Sequence, residues 1–195
     1  MKLLNNPIQQ FSQWLEEAKN HPQIELANAT CLSTVNEDGF PESRMMLLKG
    51  VDADGFVFYT NLNSVKGHSL KRTPKAALNF YWEKLRKQVR IQGTVKPVSD
   101  AEANAYFKTR PRGSQIAAWA SDQSRSLESR EFLEKRVVEF DKKFEGKEVP
   151  RPPFWNGFRL VPMKIEFWQE QPSRLHDRLL YTRQGESWSV TRLYP

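Results

Sequence analysis

Arg174, His176 and Arg178 occupy every second position at the end of the run Ile165-Glu166-Phe167-Trp168-Gln169-Glu170-Gln171-Pro172-Ser173-Arg174-Leu175-His176-Asp177-Arg178. In an extended segment successive side chains alternate faces, so these three are expected to point one way, with Leu175 and Asp177 opposite. Two guanidiniums flanking an imidazole, just past Phe167 and Trp168, suit a flat, anionic ligand that accepts hydrogen bonds. A solvated basic strand has the same pattern, so further residues are needed to choose.

Three more stretches supply them. Arg44-Met45-Met46-Leu47-Leu48-Lys49 reads as a buried strand whose terminal cations fall on opposite faces, able to offer backbone groups to a flat ring and a charge at each end; a strand with solvated ends reads the same way. In Tyr59-Thr60-Asn61-Leu62-Asn63-Ser64-Val65-Lys66 a strand runs into a polar loop and a helix start, where free amides, hydroxyls and a lysine can collect a phosphate. Ser64 as a plain N-cap explains that stretch equally well. In Tyr106-Phe107-Lys108-Thr109-Arg110-Pro111-Arg112-Gly113-Ser114, Tyr106 and Arg110 are i,i+4 neighbours and the turn at Pro111 returns Ser114 toward them, a phosphate clamp in residue type. A helix C-terminus carrying favourable cations competes with that reading on even terms. His21 and His68 have no partners at metal-ligand spacing, no Gly-rich dinucleotide or phosphate loop occurs, and Cys31 falls in an apolar strand as a core residue.

The elements that must position these groups follow from periodicity. Asn6 and Pro7 open a helix whose Ile8, Phe11, Trp14, Leu15 and Ala18 share a face. Strands are expected near 29–35, 42–50, 56–60, 75–82 and 86–97, with hairpin signals at Asp38-Gly39 and Asp54-Gly55 and a short helix near 64–72. Ser99-Asp100-Ala101-Glu102 reads as a capping box opening a helix that ends before Pro111, followed by a short helix near 113–120 and a long one near 126–145. The long helix is expected to bury Leu133, Val137, Phe140 and Phe144. Past the Pro150–Pro153 connector, strands are expected near 157–169, 176–183 and 187–193. Sequential hairpins with helices inserted late indicate an α+β protein, an antiparallel barrel with peripheral helices.

A length of 195 residues fits one domain, and 38% hydrophobic with 12% aromatic content fits a folded core. The lone Cys31 excludes an intramolecular disulfide. Met1 to Asn6 is too short and polar for a signal peptide and no apolar run reaches membrane-spanning length, so a cytoplasmic setting is expected. The net charge of +7 indicates an anionic partner. Its cations are dispersed and no nucleic-acid-binding spacing occurs, so a small phosphorylated ligand is expected, with neither nucleic acid nor membrane as partner.

Taken together, these stretches closely resemble the pyridoxamine 5′-phosphate oxidase family. The resemblance rests on Ile165-Glu166-Phe167-Trp168 with Arg174-Leu175-His176-Asp177-Arg178, extends over nearly the whole chain from about Asn6, and includes Phe154-Trp155-Asn156-Gly157-Phe158-Arg159. It implies an FMN-binding split β-barrel, antiparallel and Greek-key-like, that forms a single domain over residues 1–195 with residues 1–5 as a short extension. It implies a homodimer with FMN at the subunit interface, held by Arg44, Met45, Met46, Leu47, Leu48, Lys49, Tyr59, Thr60, Ser64, Lys66, Gln88, Gln123, Ser124, Trp168 and Arg178. The substrate phosphate is expected on Lys49, Tyr106, Arg110 and Ser114, with Arg174 and His176 as the catalytic pair facing the pyridine ring. The implied reaction oxidises pyridoxamine or pyridoxine 5′-phosphate with O2 to pyridoxal 5′-phosphate and hydrogen peroxide, the amine also releasing ammonia.

Two departures from the family pattern bear on that expectation. Val65 stands where the family usually carries the first of two basic residues, the loss of a phosphate contact of about 1–3 kcal/mol. The basic N-terminal arm that often covers the substrate in the family has no counterpart here, so weaker sequestration is expected. A split-barrel protein that holds FMN or pyridoxal 5′-phosphate without turnover is the alternative, and the intact Arg174 and His176 argue against it.

Overall fold

The computed structural model describes residue 1 and residues 3–195. The first helix, α1 (Pro7–Lys19), is capped by the Asn6 side chain, which accepts from the Ile8 and Gln9 amides. Its buried face carries Phe11, Trp14, Leu15 and Ala18. Phe11 meets Phe56 and Phe80 edge-on at 5.0 and 4.8 Å, and Trp14 meets Phe167 at 5.1 Å, so the amphipathic stripe closes the main core.

Nine antiparallel strands form the sheet: β1 (Ala29–Val35), β2 (Pro41–Leu47), β3 (Gly50–Asp52), β4 (Gly55–Asn61), β5 (Lys75–Trp82), β6 (Lys87–Pro97), β7 (Trp155–Gln169), β8 (Asp177–Gln184) and β9 (Ser187–Arg192). Their order is β2-β1-β5-β6-β7-β4-β3, with β8 also on β7 and β9 on β8. The long β7 organises the barrel. One edge pairs with β6; the other pairs with β4 through Trp155–Leu160 and with β8 through Lys164–Gln169. Between those halves Pro162 has no N–H to give, and the β6 register shifts at Gln92/Gly93. A Cβ on Gly93 would lie 2.0 Å from the Val161 carbonyl oxygen, so only glycine permits the crossing there. The sheet therefore splits at this point into two wings.

The strand expected at 42–50 is interrupted. Leu48 leaves the sheet pairing of β2: its amide donates to the Asn28 carbonyl, and Asn28 Nδ2 donates to the Leu48 carbonyl. Lys49 then donates its amide to Val57 of β4. The chain turns a barrel corner at these two residues, exchanging β1 for β4 as neighbour.

Four further helices pack around the sheet: α2 (Val65–Arg72), α3 (Asp100–Thr109), α4 (Arg112–Ala120) and α5 (Arg130–Lys143). The capping box at α3 is half formed. Ser99 Oγ accepts from the Glu102 amide, but the Glu102 carboxylate turns to Arg159 at 3.1 Å, a stronger charged partner than an amide. The start of α5 lies four residues later than expected, where Ser129 accepts from the Phe132 amide. Its apolar face is only half covered, with Val137 and Phe140 resting on a small second core of Phe107, Ile116, Phe144, Val149 and Trp155. No helix among the described residues is long and apolar enough to cross a membrane.

Candidate active site

A cavity of about 610 Å³ opens between the β2–β3 corner, β4, α3 and α4. Met45, Met46, Leu47, Lys49, Tyr59, Thr60, Tyr106, Arg110 and Gln123 line it, bringing together nine of the residues singled out in the sequence. Leu48 is buried in the main core instead, and Ser114, in the first turn of α4, lies outside the lining. Arg44 is held beside β1, donating to Thr34 Oγ1 at 2.7 Å and pairing with Glu42 at 3.1 Å.

Beside the cavity, β4 delivers the chain to the start of α2. Ser64 is the N-cap: its Oγ accepts from the Gly67 amide and donates to the Asn61 carbonyl at 2.7 Å. A Cβ on Gly67 would lie 2.5 Å from the Leu62 carbonyl oxygen, which fixes glycine at that place. Lys66 is buried, and its ammonium touches only neutral oxygens, Gln123 Oε1 at 3.3 Å and Ser64 Oγ at 3.4 Å. Burial, with a smaller push from Arg44, lowers the Lys66 pKa from the ordinary lysine value. A buried ammonium without a carboxylate, at a helix N-terminus whose first-turn amides precede the helical ladder, is a receptor for an anion. The residues present thus fit a phosphate-bearing cofactor. Gln123 also accepts from Thr60 Oγ1 at 3.2 Å and so ties the loop after α4 to this corner, where Ser124 adopts φ 72. Val65 is exposed at the first position of α2, so Lys66 is the one lysine or arginine of that first turn.

The cavity's opposite wall is aromatic. Tyr59 stacks on Tyr106 at 4.1 Å and on Trp155 at 5.1 Å, the planes tilted by 10° and 3°. Tyr106 and Trp155 are themselves 6.2 Å apart. Rings on opposite faces of Tyr59 would need about 7 Å between their centres, so Tyr106 and Trp155 lie side by side in one layer over the same face. Each bears a cation: Lys49 Nζ is 6.0 Å from the Tyr106 centre, and the Arg110 guanidinium is 4.9 Å from that of Trp155. Arg110 Nη1 is buried without a hydrogen-bond acceptor. Burial lowers the Arg110 pKa and pushes that of Tyr59 up to about 12. The phenol therefore stays neutral and the guanidinium seeks an anion.

The opening Arg-x-His-x-Arg run is not one extended segment. Pro172–Arg174 form a 3-10 turn in which Ser173 and Arg174 take left-handed φ values of 58° and 60°, and β8 begins only at Asp177. Pro172 and the turn override the alternation, so Arg174 does not share a strand face with Arg178. His176 Nδ1 accepts from the Gln171 amide at 3.2 Å, which leaves Nε2 as the N–H donor of a neutral ring. That ring lies 4.7 Å from the Trp168 ring. Trp168 is opposite Arg178 on one side and Gln88 on the other. None of Gln88, Trp168, Arg174, His176 and Arg178 lines the cavity.

Sequence reasoning assigned no role to Glu166 or Trp155. Buried Glu166 bridges Arg178 at 2.8 Å and Arg90 at 3.2 Å, and so fixes the Arg178 side chain. Its signal was an acid inside an apolar strand. Trp155 is a wall of the cavity; nothing in its spacing separates it from a core residue.

Known proteins match this arrangement closely. A model of the pyridoxamine 5′-phosphate oxidase family matches residues 17–144, and one of the pyridoxine 5′-phosphate oxidase C-terminal dimerisation region matches residues 155–195. The pyridoxine/pyridoxamine 5′-phosphate oxidase of Caulobacter vibrioides is 56% identical over 191 residues, covering 97% of this chain and 85% of that one. The protein of the same name from Rubrobacter xylanophilus is 53% identical over 190 residues, covering 97% and 87%. Among solved structures, PhzG of Burkholderia lata 383, crystallised with tetrahydrophenazine-1-carboxylic acid, superposes with a TM-score of 0.92 at 33% identity, covering 98% of this chain and 94% of that one. An FMN-binding protein of Nostoc punctiforme shares the fold at a TM-score of 0.75 and 18% identity. Split barrel, anion-receptive corner and sequence agree: the chain belongs to the pyridoxamine 5′-phosphate oxidase family.

Proposed function

We propose that the protein oxidises pyridoxine and pyridoxamine 5′-phosphates to pyridoxal 5′-phosphate, using FMN and O2. The alcohol reacts with one O2 to give aldehyde and hydrogen peroxide; the amine also consumes a water and releases ammonia. The observation that carries this reading is a pair of cations without a carboxylate partner among the described residues: Arg110, which lines the cavity, and buried Lys66, which touches the cavity residue Gln123 from beside it. Two phosphates, one on the flavin and one on the substrate, match two such receptors.

Bound FMN would supply the redox chemistry, as a two-electron carrier between substrate and O2. Lys66, Ser64 and Arg44 would hold its phosphate, while Met45, Met46, Leu47, Lys49, Tyr59, Thr60, Gln123 and Ser124 would border the rest. Lys49, Tyr106, Arg110 and Ser114 take the substrate phosphate. Arg174 orients the pyridine ring, and His176 donates from Nε2 to the substrate's reacting substituent. Neither is assigned as an obligatory base, since the chain's contribution is placement and charge.

A homodimer is part of this proposal. Gln88, Trp168, Arg174, His176 and Arg178, none of which lines the cavity of their own chain, would complete that of a second copy. The family's dimerisation region, at residues 155–195, contains four of these five. The whole chain acts as one unit, because β7 joins both matched regions in one sheet. A reducing, cytoplasmic setting belongs to the same reading, with Cys31 free.

Purified protein is expected to show a flavin absorption spectrum. Adding pyridoxamine 5′-phosphate under air should then give pyridoxal 5′-phosphate and peroxide in equal amounts. Flavin-loaded protein that makes neither, or that oxidises only a tetrahydrophenazine carboxylate, overturns the proposal.

A further inference from the structure

The Arg110 guanidinium presents an unusual electrostatic problem. It is half-buried, its Nη1 has no acceptor, and it forms no ion pair among the described residues. An arginine side chain carries about 2 kcal/mol of rotamer entropy, so something must hold it in place. What it rests on is the face of Trp155, at 4.9 Å, with Phe107 at 5.5 Å. The indole is itself buried and packed. Trp155 pairs with Asn61 at the start of β7, its carbonyl accepts from Arg151 at 2.6 Å, and Tyr59 stacks on the indole at 5.1 Å.

From this geometry we infer that Trp155 is a positioning and specificity residue: it aims the Arg110 cation into the cavity without supplying a competing anion, and so selects phosphorylated substrates. The inference rests on the reading of Arg110 as a substrate-phosphate receptor. A carboxylate could also fix Arg110, but an incoming phosphate would then have to displace it. An aromatic face stabilises the cation through its quadrupole and leaves every N–H free to donate. Lys49 over Tyr106 repeats the arrangement on the neighbouring ring of the same layer. Both cations line the same cavity, each against one ring of that layer. Burial already weakens the protonated state of Arg110, so loss of the indole face removes stabilisation that water does not restore.

Trp155→Leu and the milder Trp155→Phe in flavin-loaded protein test this. Trp155→Leu is expected to raise KM for pyridoxine 5′-phosphate about ten-fold and Trp155→Phe about three-fold, with kcat changing least. KM for unphosphorylated pyridoxine should stay within about two-fold of the parent value. In an Arg110→Ala background, Trp155→Leu should add little, because its effect acts through Arg110. Equal losses for both substrates, or full additivity with Arg110→Ala, would show a merely structural role and overturn the inference. Calorimetric binding of pyridoxal 5′-phosphate to the same variants gives a readout independent of turnover. If the parent protein binds it, weakened about ten-fold by Trp155→Leu, yet oxidises nothing, the activity proposal fails and the clamp stands. If Trp155→Phe folds and binds as tightly as the parent, the clamp fails whatever the activity.

Discussion

The two halves of the candidate site keep their cations in opposite ways. At the β4–α2 corner and on the aromatic wall, buried Lys66 and half-buried Arg110 touch only neutral groups among the described residues. On β8, Arg178 is held by buried Glu166 and by the Tyr194 carbonyl, while Arg174 sits on a left-handed turn outside the sheet. The first half is short of negative charge, and only a ligand supplies it. In the second, Arg178 already has a carboxylate partner, so its task is to present a surface of fixed shape. One half binds by charge and the other by placement, a division that suits the proposed site shared between two copies of the chain.

The largest expected effects come from separating Arg174 and Arg178. Arg174→Ala should reduce turnover about 100-fold, the scale of a misplaced substrate, while flavin stays bound. Arg178→Ala should instead weaken flavin retention and leave Glu166 with Arg90 alone. Flavin content after gel filtration and single-turnover rates separate the two. Equal flavin loss in both variants would break the division between placement and cofactor contact along this segment.

Lys66 tests the charge-hungry half. Lys66→Met removes the buried ammonium and should weaken FMN binding about 10- to 100-fold, the value of a charge-assisted hydrogen bond. The stability of the flavin-free protein should change little or rise, since an uncompensated buried charge is lost with it. A pH dependence follows from the lowered Lys66 pKa. The bound phosphate favours the protonated ammonium, so the bound pKa lies above the free one. FMN binding is therefore tightest below the free-state pKa and weakens as pH rises through the interval between the two, with proton uptake on binding there. Titration calorimetry in buffers of different ionisation enthalpy reads that uptake; none on the alkaline side would mean that Lys66 does not meet the phosphate.

The same contrast sets what the sequence could reveal. Strands β1 and β5, helix α1 and both hairpin turns were legible because period and turn chemistry agree locally, as at Asn6-Pro7 and Asp54-Gly55. The break at Leu48-Lys49 was not, since its cause is a change of neighbour from β1 to β4, set by contacts distant in sequence. The alternation at Arg174-x-His176-x-Arg178 misled for a related reason. Pro172 and two left-handed residues cancel a period that residue types alone suggest. The charged members of the site were readable by type, but Trp155 was not. Its role depends on lying beside Tyr106 in one ring layer, and no spacing encodes that.

The smallest effect belongs to the turn that carries Arg174. Ser173 holds φ 58° and ψ 25°, a conformation costing a side-chain-bearing residue about 1–2 kcal/mol. Ser173→Gly relieves that cost and adds about 0.4–1 kcal/mol of unfolded-state entropy in opposition. Relief wins narrowly, so stability should rise by about 0.5 kcal/mol in urea titration. Turnover should nevertheless fall a few-fold, because glycine also frees the backbone that aims Arg174. A turn that merely connects β7 to β8 would gain the stability and keep the rate. A turn that places Arg174 gains stability and loses rate, and that opposition in sign distinguishes a strained functional loop from a poorly chosen one.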